Sequence, residues 1–98
     1  MLKQSNLFKQ FQVWMENKGY AKTTKSNLPS TIADYSSSLL RICAWESKTP
    51  EQIAESISTL LPQYLPGGEH SSRGKMKSRA IRCSISAYHR FLLETQAA

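Results

Sequence analysis

The segment from residue 73 to residue 94, RGKMKSRAIRCSISAYHRFLLE, limits the possible folds of this chain more than any other part of it. On a helical wheel at about 100° per residue, its apolar residues fall on one broad side and its basic residues on the other. The predicted buried side holds Met76, Ala80, Cys83, Ala87, Tyr88, Phe91 and Leu92. The predicted basic side holds Lys75, Arg79, Arg82, Ser86 and Arg90. The pattern predicts one amphipathic helix that packs on a core and shows a basic face to solvent.

The charge of the chain is concentrated in the same segment. Residues 73–90 contain no Asp or Glu, and their cations are Arg73, Lys75, Lys77, Arg79, Arg82 and Arg90. The whole chain has 13 Lys and Arg, seven Asp and Glu and a net charge of +6, so the excess charge lies in this segment alone. Such a cluster is typical of a surface that binds a polyanion, although a solvated face of long basic side chains gives the same pattern.

Three more helices are predicted before this segment. The first begins at Ser5 or Asn6 and runs to about Lys18, and Gly19 then supplies a left-handed stop. The second covers residues 29–46, where three consecutive serines need support from tertiary packing. The third begins at the capping sequence Thr49-Pro50-Glu51-Gln52 and runs to about Leu61, after which Pro62 stops or kinks it. Residues 20–30 and 63–72 are predicted to be loops.

The fold class follows from these elements. No stretch alternates as a strand does and no repeat is detectable, so residues 1–98 are predicted to form one all-α domain of four to five helices. A domain of 98 residues has a modest core and little room for a deep substrate cleft. No apolar run approaches the roughly 20 residues of a membrane span, and no signal peptide is visible, so we expect a cytoplasmic protein that does not bind membranes.

The sequence contains no recognisable catalytic, metal or cofactor motif. His70 and His89 have no second ligand or nucleophile at a suitable spacing, and the carboxylates are scattered. We therefore predict no enzyme activity, no cofactor and no small-molecule substrate. Cys43 and Cys83 are interpreted as buried thiols, in preference to a disulfide or a metal site.

The aromatic residues allow two interpretations. They could stack on the bases of single-stranded nucleic acid, but they also lie on the predicted core faces of their helices, so core packing is the preferred interpretation. The residues concerned are Trp14, Tyr35, Trp45, Tyr88 and Phe91.

The order of these features resembles a known family. Gly19-Tyr20 closes an aromatic first helix, Thr31-Ile32-Ala33-Asp34-Tyr35 opens the second helix, and Tyr88-His89-Arg90-Phe91-Leu92 ends the last one. Residues 6–94 as a whole resemble the N-terminal core-binding domain of tyrosine recombinases, the phage integrase family. The segment between Tyr20 and Thr31 is longer than is usual in that family, and the catalytic half is absent from this sequence.

The resemblance implies a SAM-like orthogonal bundle that forms one half of a clamp around duplex DNA. The second and last helices of such a domain face the major groove, which points to Lys25, Ser30 and Thr31 in addition to the basic side of the last helix. It also implies a role in DNA integration or recombination, with other recombinase protomers as partners on the DNA. Strand cleavage would belong to a separate catalytic domain, and whether the chain is part of a longer protein stays open.

Two other functions fit the same residues. Helical bundles of this size often bind proteins, and a basic helix can dock on an acidic partner. An RNA-binding domain would also carry a basic face of this kind. Duplex-DNA binding is the interpretation that the charge pattern and the resemblance favour together.

Overall fold

The computed structural model describes residues 6–20, 31–76 and 79–95. Its helices are α1 (Asn6–Asn17), α2 (Thr31–Glu46), α3 (Pro50–Glu55), α4 (Ile57–Tyr64), α5 (Ser71–Gly74) and α6 (Ala80–Thr95). All regular secondary structure in these residues is helical, which confirms the all-α class. The described residues form six helices instead of four or five, because the third predicted helix and the last one are each divided. In these parts of the chain, no helix has the length and hydrophobicity that a membrane span requires.

Helix α1 ends as predicted. Gly19 has a φ of +87°, a left-handed conformation that glycine adopts without steric cost. The N–H of Gly19 donates to the carbonyl of Glu16 at 3.1 Å, and the N–H of Tyr20 donates to the carbonyl of Met15 at 3.0 Å. These two bonds form a Schellman motif, which satisfies carbonyl groups at the end of the helix. The motif also turns the chain so that Tyr20 lies beside α6.

Helix α2 packs mainly against α6. Ser84 of α6 donates a hydrogen bond to the backbone carbonyl of Tyr35 at 2.6 Å, which joins the two helices near the start of α2. Two of the three consecutive serines, Ser36 and Ser38, are buried, and the side-chain amide of Gln12 on α1 donates to the Ser36 hydroxyl at 3.1 Å. Contacts with α1 and α6 therefore surround this turn, as the weak helix propensity of serine requires.

Replacing Ser38 by alanine is expected to raise the free energy of unfolding by about 1 kcal/mol. Ser38 is fully buried, and its hydroxyl has no hydrogen-bond partner among the described residues. The substitution removes a desolvated polar group and also introduces a better helix former. Urea unfolding measures the change. Ser36→Ala is the matched control, because it removes a hydroxyl that has a partner, and it should not stabilise the protein; a lower stability of Ser38→Ala would contradict the prediction.

The capping sequence at the start of α3 is confirmed. The Thr49 hydroxyl accepts from the N–H of Gln52 at 3.1 Å, and the Gln52 side chain accepts from the N–H of Thr49 at 2.9 Å. The predicted end of this helix is wrong, because the helix is interrupted at Ser56 and Pro62 lies inside α4. The Ser56 hydroxyl donates to the carbonyl of Gln52, four residues earlier, at 3.1 Å. Such bonds weaken and bend helices, which gives a physical reason for the earlier break.

The predicted helix over residues 73–94 is also divided. Helix α5 ends at Gly74, α6 begins at Ala80, and Arg79 between them has a φ of +74°. A left-handed residue other than glycine interrupts an α-helix and redirects the chain that precedes it. Lys75 and Met76 therefore do not continue the helical phase of α6, and the prediction of a single helix through the whole segment is wrong.

Helix α6 contributes the largest share of the core. Its buried residues are Ala80, Ile81, Ser84, Ile85, Ala87, Tyr88, Phe91 and Leu92. Two residues of the predicted buried side are not buried, since Met76 is 41% exposed and Cys83 is also exposed. Met76 precedes the break, and Cys83 lies on the side of α6 that carries Arg82 and Arg90. The interpretation of both cysteines as buried thiols therefore holds for Cys43 and is wrong for Cys83.

Aromatic rings from α1 and α6 meet in the core. The ring centroid of Phe11 lies 5.1 Å from that of Tyr88 and 5.6 Å from that of Phe91. All three rings are at most 1% exposed, and burial of each contributes roughly 2–3 kcal/mol. The Tyr88 hydroxyl donates to the carbonyl of Pro50 at 2.7 Å, which fixes α3 to the same cluster.

The remaining predicted core aromatics divide into two groups. Trp14 is buried, whereas Tyr35 and Trp45 are half-buried against the edge of the core. Core packing of the aromatic residues is thus confirmed, with two rings partly open to solvent. One of them, Tyr35, lies next to the outward face of α6.

Candidate functional site

Three of the predicted basic-side residues lie on one line of α6. Arg82, Ser86 and Arg90 follow one another at four-residue steps, which places them on the same face of an α-helix over about 12 Å. Arg90 is exposed, and the other two are half-buried at the base of the face. Arg79 is exposed directly before the helix begins. We call Arg79, Arg82, Ser86 and Arg90 the arginine stripe.

The arginine stripe carries uncompensated charge. Within the parts of the chain that the structure describes, no carboxylate forms an ion pair with Arg79, Arg82 or Arg90. The next residue in the four-residue series is Glu94, and its carboxylate is already occupied. It accepts from Lys18 Nζ at 2.8 Å and from Trp14 Nε1 at 3.2 Å, and these bonds hold the pKa of Glu94 below its ordinary value. None of these three guanidinium groups is therefore neutralised by an ion pair within the described residues.

A groove of about 260 Å³ lies beside the arginine stripe. The groove is lined by residues of α6, by Tyr35 of α2 together with Tyr20, and by the turn after α4. Its lining residues are Tyr20, Tyr35, Leu65, Pro66, Arg82, Cys83, Ser86, Ala87 and Arg90. The groove combines guanidinium groups and hydroxyl groups with two aromatic rings and an aliphatic wall. We call it the α6 groove.

The polar groups of the α6 groove are held in place by neighbouring side chains. Arg90 Nη1 donates to the Tyr20 hydroxyl at 3.4 Å, and the Tyr20 and Tyr35 rings meet edge to face with centroids 5.9 Å apart. Burial, together with the neighbouring Cys83 thiol, raises the pKa of Tyr35 to about 12. Its hydroxyl is therefore protonated at neutral pH and can donate a hydrogen bond to an anion.

Arg73 lies apart from the arginine stripe. It belongs to the short helix α5, and its guanidinium carbon is 5.1 Å from the ring centroid of Trp45. Trp45 stacks on Tyr64 with centroids 6.3 Å apart, and the Tyr64 hydroxyl donates to Glu46 at 2.8 Å. Cation–π contact of this kind contributes about 0.5–1 kcal/mol at partly exposed sites. Arg73 therefore fastens α5 to α2 and α4, and it is less available to an external anion than Arg90.

Only some of the other predicted DNA-binding residues lie in the part of the chain that the structure describes. Lys75 is exposed in the turn that follows α5. Thr31 is the first residue of α2, and its side chain is not among those described. Lys25, Ser30 and Lys77 lie outside the described residues. Of the ten predicted residues, α6 and the residue before it bring together Arg79, Arg82, Ser86 and Arg90.

Sequence reasoning missed several residues of the α6 groove. The sequence predicts a loop at Leu65 and Pro66, and no local pattern shows that this loop reaches α6. The sequence predicts Tyr35 in the core, and its half-buried side chain does pack against the core. Only Gly19-Tyr20 gave a local signal for a groove residue. A glycine that ends a helix in a Schellman motif fixes the direction of the residue that follows it, here Tyr20.

A second groove, of about 540 Å³, opens between α1, the α3–α4 pair and the end of α6. Its lining includes the apolar side chains of Leu7, Leu92 and Leu93 and the carboxylates of Glu51 and Glu55. The α6 groove carries arginines, whereas this groove carries acids. The two open faces of α6 are thus opposite in charge.

The two histidines lie in different surroundings. His70 lies against the Tyr64 ring, with centroids 5.4 Å apart, and His89 lines the second groove. Among the described residues, no group of three or more His, Cys, Asp and Glu side chains is placed to hold a metal ion.

Comparison of the chain with known protein families, with curated proteins and with solved structures found no match.

Proposed function

We propose that this chain is a duplex-DNA-binding domain that contacts DNA through the arginine stripe on α6. The observation that carries the proposal is a line of guanidinium groups on one helix face without a carboxylate partner in the described residues. The resemblance of residues 6–94 to the core-binding domain of tyrosine recombinases supports the same function. On this proposal the protein binds DNA in the cytoplasm as part of a recombination or integration system, and strand cleavage belongs to a separate catalytic domain.

The physical basis is the exchange of counterions for arginines. Duplex DNA carries one charge per about 1.7 Å of its axis, so a stripe of about 12 Å can reach several phosphates. Each phosphate that a guanidinium neutralises releases condensed cations, and affinity then falls with rising salt. Arginine suits this task because its planar group can donate two parallel hydrogen bonds to a phosphate.

The surrounding structure fixes how the stripe is presented. Cβ of Arg82 lies close to Gly74 of α5, so the start of its side chain is held between two helices. Arg90 is oriented by its hydrogen bond to Tyr20. Arg82 and Arg90 mark the two ends of the line on α6. Phosphate contacts of this kind position a protein on DNA, whereas sequence is read by contacts with base edges.

The proposal is tested by binding to a labelled duplex of about 30 base pairs at several salt concentrations. Arg82→Gln and Arg90→Gln are each expected to lower the slope of log affinity against log salt by about one unit, and the double variant by about two. Lys9→Gln on the exposed face of α1 is the charge-matched control, and it should leave the slope close to that of the wild type.

The outcomes separate the candidate functions. Equal loss in the control and in the stripe variants would show that total charge, and not the stripe, determines binding. Tighter binding of structured RNA in competition would favour an RNA-binding domain. Absence of DNA binding even at low salt would overturn the proposal and favour a protein partner.

A further inference from the structure

The α6 groove has features that contact with the phosphates of a paired duplex does not require. Phosphate contact needs cations and donors on an open surface. This groove adds two aromatic rings, Tyr20 and Tyr35, and an aliphatic wall formed by Leu65, Pro66 and Ala87. Its volume of about 260 Å³ lies just below the range of small-ligand sites, which begins at roughly 300 Å³. The groove therefore limits its occupant to one small group, such as a single ring system.

An unpaired nucleotide has the chemical groups that the lining of the α6 groove can bind. Bases stack on aromatic side chains whatever their sequence, because every base has a π-face. Base edges accept and donate hydrogen bonds, which the Ser86 hydroxyl and the Tyr35 hydroxyl can satisfy. The adjoining phosphate can lie on Arg82 or Arg90, which line the same groove. A base inside a paired duplex cannot enter such a groove, since its faces are covered by its neighbours.

We propose that the α6 groove receives one unpaired nucleotide of the bound DNA, so that the protein prefers a duplex with an extrahelical base over a fully paired duplex. This inference rests on the proposed function, because the arginine stripe brings the DNA to the groove. The apolar wall and the two rings then hold the base, while the arginines hold the phosphates on either side of it.

The test compares a paired duplex with the same duplex carrying one bulged thymidine, and with a third carrying a bulged abasic site. The wild type should bind the thymidine bulge about tenfold more tightly than the paired duplex, an effect within the range of stacking on an aromatic side chain. The abasic bulge keeps the additional phosphate but has no base, so it should show little of this gain.

Two variants place the effect in the groove. Cys83→Leu fills the groove from an exposed position without changing charge, and it should weaken binding of the bulged duplex much more than binding of the paired duplex, so that the preference for the bulge is lost. Tyr20→Leu removes a stacking ring and should reduce the preference severalfold. Far-UV circular dichroism of both variants shows whether they fold.

The outcomes distinguish this inference from the proposed function. Equal affinity for the paired and bulged duplexes, with intact salt-dependent binding, would overturn the inference and leave the proposed function standing. An equal gain for the abasic bulge, or a preference that survives in both variants, would also overturn it. Failure to bind all three duplexes would overturn the proposed function itself.

Discussion

Replacing Gly74 by alanine is expected to lower the free energy of unfolding by about 3 kcal/mol. A Cβ at this position would meet the backbone carbonyl oxygen of Tyr64 on one side and Cβ of Arg82 on the other. Tyr64 is fully buried, and its hydroxyl is bound to Glu46, so its backbone has little room to move. The clash would separate α5 from α4 and α6, and it would also displace the start of the Arg82 side chain. Urea unfolding measures the loss.

Gly67→Ala is the matched control for this substitution. Gly67 has a φ of +87°, but no atom lies within 4 Å of the position that a Cβ would take. The control therefore carries the cost of a left-handed alanine, about 1–2 kcal/mol, without a clash. If Gly74→Ala cost no more than Gly67→Ala, the close packing of α5 on α4 and α6 would not be a significant source of stability.

The protein is expected to unfold as the pH rises from about 10 to about 12. Burial raises the pKa of the Cys43 thiol to about 11. Burial also raises the pKa of Tyr88, and burial with the Glu46 hydrogen bond raises that of Tyr64. Each group holds its proton more tightly in the folded state than in the unfolded state. The stability that each contributes is therefore complete below its unfolded pKa and is lost as the pH rises toward its folded pKa.

The same linkage between proton binding and folding gives the size of the stability loss at high pH. The loss begins near pH 9 for Cys43 and near pH 10 for the two tyrosines, and each group contributes up to about 1.4 kcal/mol per pH unit. A domain of this size has a total stability of only about 5–15 kcal/mol. The measurement is the urea midpoint at a series of pH values from about 8 to 12.

Two variants test which groups cause the loss of stability at high pH. Cys43→Ala should flatten the profile between about pH 9 and 10, and Tyr64→Phe should make the loss above pH 10 less steep. Both comparisons use the pH dependence and not the absolute stability, because each substitution also changes packing. A flat profile up to pH 12 for the wild type would contradict the prediction.

Part of the candidate site could be predicted from the sequence because it lies within one uninterrupted helix. Arg82, Ser86 and Arg90 share a face wherever residues 80–95 are helical, since the four-residue spacing alone places them there. Arg73 could not be placed in this way, because the chain between it and α6 contains a left-handed residue. No sequence rule predicts a positive φ at an arginine, which must be stabilised by the surrounding packing.

The sequence alone determined the features that depend on neighbours a few residues away. The glycine stop after α1 and the capping sequence before α3 are local, and both were predicted correctly. The tertiary structure alone decided the features that join distant segments. The turn at Leu65 and Pro66 reaches α6, and Arg73 lies on the Trp45 ring. Such contacts depend on how whole helices pack, and the packing of helix faces is not encoded in any single stretch of the chain.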